Sequence, residues 1–209
     1  MPPPSPEELL ALPRPSAARP FRILLSGCLT GRNCGFDGSN YGGGPLHARL
    51  ARVPHVELVS FCPEDFAFGT PRDLCDIHGG NGFDVLDGRA CVLTQTGEDW
   101  TAPLVEAAHR MLALATQHAV DLALLMDMSA ACGSQVISDG PRTVAERKYQ
   151  RGPGVCTALL LRHGIRVMSQ RDFRALEWLL HRLDPAHVPD SRAIDHHETP
   201  WYREYFGTR

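Results

Sequence analysis

The sequence has no apolar run approaching the roughly 20 residues that a membrane helix needs. Its opening stretch, MPPPSPEELLALPRPSAARP, has neither the basic segment nor the apolar segment of an export signal. A cytoplasmic location with no membrane partner is therefore expected, and its seven cysteines are expected to be thiols in a reducing compartment. The odd count also speaks against a complete disulfide framework. Aromatic residues make up only 7% of the chain, too few to favour a stacking platform for single-stranded nucleic acid. A net charge of −3 argues against a dedicated basic nucleic-acid binder, although Arg142, Arg147, Lys148 and Arg151 form a local basic patch. CxxC knuckles and HExxH are both missing, so neither of the common zinc signatures is present. The stretches YGGG and GPG complete neither a P-loop nor a dinucleotide fingerprint, and read better as turn glycines. The turn before Gly154 keeps the option of an anion at a helix N-terminus.

What the chain does have is enough apolar content, 43% of 209 residues, to bury one core of α/β size. Strand-like runs fall at 21–25, 56–61, 90–94, 122–126 and 166–168. Helical patterns fall at 45–50, 101–118, 154–163 and 172–183, the second with Leu104, Ala108, Met111 and Ala115 on one face. This alternation predicts an α/β fold, a Rossmann-like or flavodoxin-like three-layer sandwich with a mostly parallel sheet. Residues 1–20 read as a proline-rich arm, mobile or packed on the surface. Residues 21–183 read as the α/β domain and 184–209 as a C-terminal tail. The stretch 62–88, rich in proline and glycine, reads as a long loop of the kind that is often functional. In the tail, Asp195, His196, His197 and Glu198 precede WYREYF, which suggests docking through Trp201 and Phe206 more than metal binding.

Three cysteines share a position in this pattern: Cys28 after FRILLS, Cys62 after HVELVSF and Cys132 after DLALLMDMSAA. Each is expected at the end of a strand, and in an open α/β sheet the carboxyl ends of the strands line the ligand crevice. Asp37 follows Cys28, Glu64 follows Cys62 by two residues, and Ser129 precedes Cys132. Cys91 and Cys156 read as core thiols. Cys34 and Cys75, in loop-like stretches, read as spare ligands at most. Three converging thiolates without a fourth suit an iron–sulfur cluster with one open iron, which can act as a Lewis acid toward a sulfur-bearing substrate.

The stretches SGCLTGRNCGFDGSNY, FCPEDFAFGTPRDLCDI, GEDWT, SAACGSQVISDG and GPGVCTALLLRHGI resemble, in that order, the bacterial thiouracil desulfurase family, long known as a domain of unknown function. The resemblance implies a 4Fe–4S enzyme that removes sulfur from a thiolated base or nucleoside, giving the oxo-base and hydrosulfide. It implies cluster ligands at Cys28, Cys62 and Cys132, with the thiocarbonyl sulfur on the open iron. It also implies Glu64 (or Asp37) in proton transfer and Ser129 in orienting the substrate or relaying protons. A tRNA substrate is not favoured by the charge. The chain departs from the family pattern at Gly35-Phe36, at Ala130-Ala131 and near Cys75-Asp76, changes that spare the ligands and bear on the exact substrate. The competing expectation is a non-catalytic module, holding a cluster or zinc, that binds or senses sulfur metabolites or RNA.

Overall fold

The computed structural model describes residues 2–40 and 44–207. Most of YGGG therefore lies outside the described residues. A short helix α1 (Pro6–Leu10) leads into β1 (Phe21–Ser26), followed by α2 (Pro45–Leu50), β2 (Val56–Phe61) and α3 (Pro63–Phe68). Next come β3 (Cys75–His78), α4 (Gly82–Leu86), β4 (Cys91–Thr94), the long α5 (Thr101–Gln117) and β5 (Leu122–Leu125). The chain closes with β6 (Val136–Ser138), β7 (Tyr149–Arg151), α6 (Val155–Arg162), β8 (Val167–Ser169), α7 (Phe173–Leu183) and α8 (Pro200–Phe206).

The central sheet is wholly parallel, in the order β2-β1-β5-β8. Alternation along the strands serves two cores. Leu24, Ala123, Leu125 and Val167 face the layer of α5 and α6. Ile23, Leu25, Leu122, Leu124 and Met168 face α1, α2 and α7. Helices cover both faces, so the expected three-layer α/β sandwich is the observed one. After β2 the chain crosses over β1 to build β5, which puts the reversal of strand order between β1 and β5. In such sheets that reversal opens the ligand crevice.

Two stretches differ from the sequence reading. Residues 62–88 are not a bare loop: they hold α3, β3 and α4, with β3 paired antiparallel to β4 in a separate two-stranded sheet. Strands of four residues between glycines and prolines carry too few alternations to stand out in sequence. The pair β6–β7 was missed for the same reason. The arm is packed: Leu9 is fully buried and Leu12 nearly so, in the core shared with α7.

Candidate active site

Cys28 sits in the 3-10 turn Gly27–Thr30 that leaves β1. Cys62 stands between β2 and α3, where Pro63 presets the first helical residue. Cys132 comes from the far side of β1 but not from a strand end: β5 stops at Leu125, and Cys132 lies on the loop 126–135 that follows. That loop is tied down at both ends. Ala131 and Cys132 donate backbone N–H to the Ser129 hydroxyl at 3.2 and 3.1 Å. The first N–H groups of α6 bind the loop's carbonyls, Val155 to Ala130 at 2.8 Å and Cys156 to Ala131 at 2.9 Å. These bonds use the donors that an anion at the α6 N-terminus would need, so that option is closed.

Strands β2, β1 and β5 are neighbours, so the three thiols meet over the crevice at their carboxyl ends. They are 91% or more buried and border one cavity of about 760 Å³. A fourth thiol joins them. Cys34, 1% exposed, lines the same cavity beside Cys28 and Cys62, and the Cys62 thiol points at its carbonyl at 3.8 Å. Gly27 makes the space: a Cβ there would stand 2.9 Å from Cys62 Cβ and 3.2 Å from Cys34 Sγ. The contact with Cys28 raises Cys34 to about 11. The contact with Cys34, and then burial, pushes Cys62 up, and burial does the same to Cys132. These thiols keep their protons until a cation replaces them, as metal binding does. Soft donors around a cradle that a side chain would fill suit thiophilic iron. No three histidines, cysteines or carboxylates among the described residues gather tightly enough for a single ion, so the thiols border a wall rather than a point.

Glu64 and Ser129 meet beside the thiols, although 65 residues separate them: Ser129 Oγ donates to Glu64 Oε1 at 2.9 Å. The other carboxylate oxygen takes Arg72 at 2.9 Å. Arg72 is almost wholly buried, and both its terminal nitrogens reach the Cys34 carbonyl at 3.0 Å. Burial works against the charge of Arg72, yet Glu64 more than offsets it and raises its pKa. The guanidinium thus links the carboxylate to the backbone of the fourth cysteine. Asp37 is not brought into the site. It is exposed, accepts the Ser39 N–H at 2.9 Å, and is held below the ordinary carboxylate value by Ser39. The neighbouring Gly38 takes the left-handed conformation, at φ 82°.

Of the remaining cysteines, Cys75 lies on β3 and does not line the cavity, Cys156 is buried in α6, and Cys91 is half-buried on β4. Arg142, from the basic patch, lines the cavity but pairs with buried Asp76 at 2.7 Å. The tail reaches the site's rear. His196 Nδ1 sits 2.8 Å from Asp127, which lines the cavity and accepts backbone N–H from Ser134 and Gln135. Trp201 stacks on that histidine but is itself 36% exposed, so buried His196 anchors the tail more than Trp201 does. Arg72 and Asp127 were not singled out from sequence. Pro71-Arg72 within the second quoted motif was the one signal for Arg72, and Asp127 had none.

A parallel α/β sandwich that gathers thiols and a carboxylate at its switch point is an enzyme-like fold with its site in the crevice. Comparison with known proteins supplies the family. The 2-thiouracil desulfurase family profile matches residues 23–172, and the chain belongs to that family of enzymes. It is 37% identical over 151 residues to the uncharacterized protein YbbK of Bacillus subtilis (strain 168), an alignment covering 72% of this chain and 96% of YbbK. Among solved structures it resembles the [4Fe-4S]-dependent thiouracil desulfidase TudS, with 32% identity and a TM-score of 0.59 over 72% of this chain and 91% of that one. No helix among the described residues is long and apolar enough to cross a membrane.

Proposed function

We propose that the protein hydrolyses the carbon–sulfur bond of a small thiolated nucleobase, using a 4Fe–4S cluster held by Cys28, Cys62 and Cys132. The observation that carries this reading is the meeting of those thiols with the Glu64–Ser129 pair on one cavity wall. The cluster dependence of TudS supports it. The cluster would supply one iron that none of these three cysteines holds, a Lewis acid for the thiocarbonyl sulfur. Glu64 takes the proton of the attacking water, with Arg72 holding the carboxylate in place and Ser129 at its second oxygen. Water supplies the oxygen and sulfur leaves as hydrosulfide, so the overall change is hydrolytic and needs no external electrons. The cavity volume lies within the range of small-molecule sites, which favours a free base or nucleoside over tRNA.

The test is an anaerobic screen of iron-reconstituted protein against thiolated base, nucleoside and tRNA. The expected result is release of hydrosulfide and the oxo-base from the base or nucleoside. Replacing Cys28, Cys62 or Cys132 with Ser should strip the visible cluster absorption, whereas Cys91→Ser and Cys156→Ser should keep it. An iron-loaded protein that binds thiolated bases without turnover would favour the binding or sensing module instead.

A further inference from the structure

We propose that Cys34 is a fourth, displaceable ligand of the cluster: its thiolate closes the open iron in the resting protein, and the substrate's sulfur takes its place. This rests on the cluster assignment above. A buried cysteine is ordinarily a small core residue packed among carbon atoms. The surroundings of Cys34 are different. It lines one cavity with Cys28 and Cys62, and a Cβ on Gly27 would stand 3.2 Å from its sulfur and 2.9 Å from Cys62 Cβ. It borders the substrate-sized cavity at 1% exposure, within reach of whatever Cys28 and Cys62 hold.

Its backbone is placed from outside. Arg72 donates twice to the Cys34 carbonyl at 3.0 Å, and the Cys62 thiol also points at that oxygen at 3.8 Å. Arg72 also holds Glu64, so one guanidinium sets both the proposed fourth thiol and the proton-transfer carboxylate. The other three cysteines stand on firmer ground: a turn fused to β1, the start of α3, and a loop bonded to α6. Cys34 lies between Gly31 at φ 83° and Gly38 at φ 82°, in a stretch with no helix or strand. It is therefore the thiol best able to leave and return while the rest stay fixed. A closed resting state would shield the open iron from oxygen, and substrate would have to compete with a tethered ligand.

The experiment compares full-length wild type, Cys34→Ala and Cys34→Ser after anaerobic reconstitution. All three should carry four irons per chain. Cys34→Ala should bind 2-thiouracil more tightly by spectral titration, on the order of tenfold, because the tethered competitor is gone. It should also lose one iron faster to ferricyanide with EDTA, read as the three-iron signal in electron paramagnetic resonance. Cys34→Ser, if the alanine variant fails to load, offers a harder and weaker ligand and should fall between. Equal affinity and equal iron loss in wild type and variants, with full iron, would overturn the proposal and leave the three-cysteine cluster standing. Complete loss of iron in both variants would also overturn it, since Cys34 would then be obligatory. A wild type that takes up no iron would remove the cluster assignment itself.

Discussion

Glu64 shows how far neighbours on paper can predict neighbours in space. Its two-residue distance from Cys62 made it a candidate, and α3 does deliver it to the cavity wall. Asp37 had a similar claim as the acid that follows Cys28, but it is left in solvent, held by Ser39. Sequence carried the residue types and their order, and the turn between them decided which carboxylate counted. Arg72 was harder to see because its importance comes from three bonds made across the fold, to Glu64 and to the Cys34 carbonyl. Glu64→Gln keeps the side chain's size and one acceptor oxygen for Arg72, so it should leave iron content unchanged. It should lower kcat on a thiolated base by about 10²-fold or more, the share of a general acid–base. Iron analysis beside steady-state kinetics checks this, and an unchanged kcat would move the proton role elsewhere.

At the scale of elements, the loop 126–135 is where the sequence reading and the structure part. The apolar run through Met126 suggested a strand that delivers Cys132 at its end. In fact β5 ends at Leu125, and the cysteine is delivered by the hydroxyl of Ser129, the first turn of α6 and the carboxylate of Asp127. Burial works against the charge of Asp127, but His196 and the loop's own N–H groups hold its pKa below the ordinary carboxylate value. None of these long-range partners leaves a periodic signal in sequence. Gly154 carries the closest approach: a Cβ there would stand 2.6 Å from both the Ala130 and Ala131 carbonyls. Gly154→Ala should therefore push the loop off α6 at a cost of about 1–3 kcal/mol, as overpacking does. Because the displaced loop carries Cys132, the variant should also retain less iron than wild type. Denaturation with iron analysis tests both, and a fully loaded, equally stable variant would show that α6 does not set the cysteine.

For the whole molecule, the four parallel strands and their major helices were legible because long apolar periodicities report layers. The attachments at the two ends were not, because single buried residues anchor them: Leu9 and Leu12 from the arm, His196 from the tail. The tail's docking brings His196 N–H to a buried carboxylate, Asp172, which also accepts from the Gln135 side chain and from Ser169 N–H. Burial, ahead of those bonds, lifts Asp172 from 3.8 to about 6. The native carboxyl therefore holds its proton better than the unfolded chain does, so this group's effect on stability worsens as pH rises between those two values. Above about 6 the full cost applies, at most about 3 kcal/mol by the linkage between pKa and free energy. Asp76 and Asp195 are also raised by burial and act in the same direction, so a single pH profile cannot isolate Asp172. A difference between two profiles can. Wild-type, iron-loaded protein should gain stability on going from pH 7 to pH 5. Asp172→Asn keeps one side-chain oxygen for Gln135, cannot ionise, and should lose a measurable part of that gain. Its own lost bond to Ser169 costs about 1 kcal/mol at every pH and leaves the slope alone. Urea denaturation of both proteins at the two pH values reads the slopes, and parallel profiles would mean that Asp172 stays ionised beneath the docked tail.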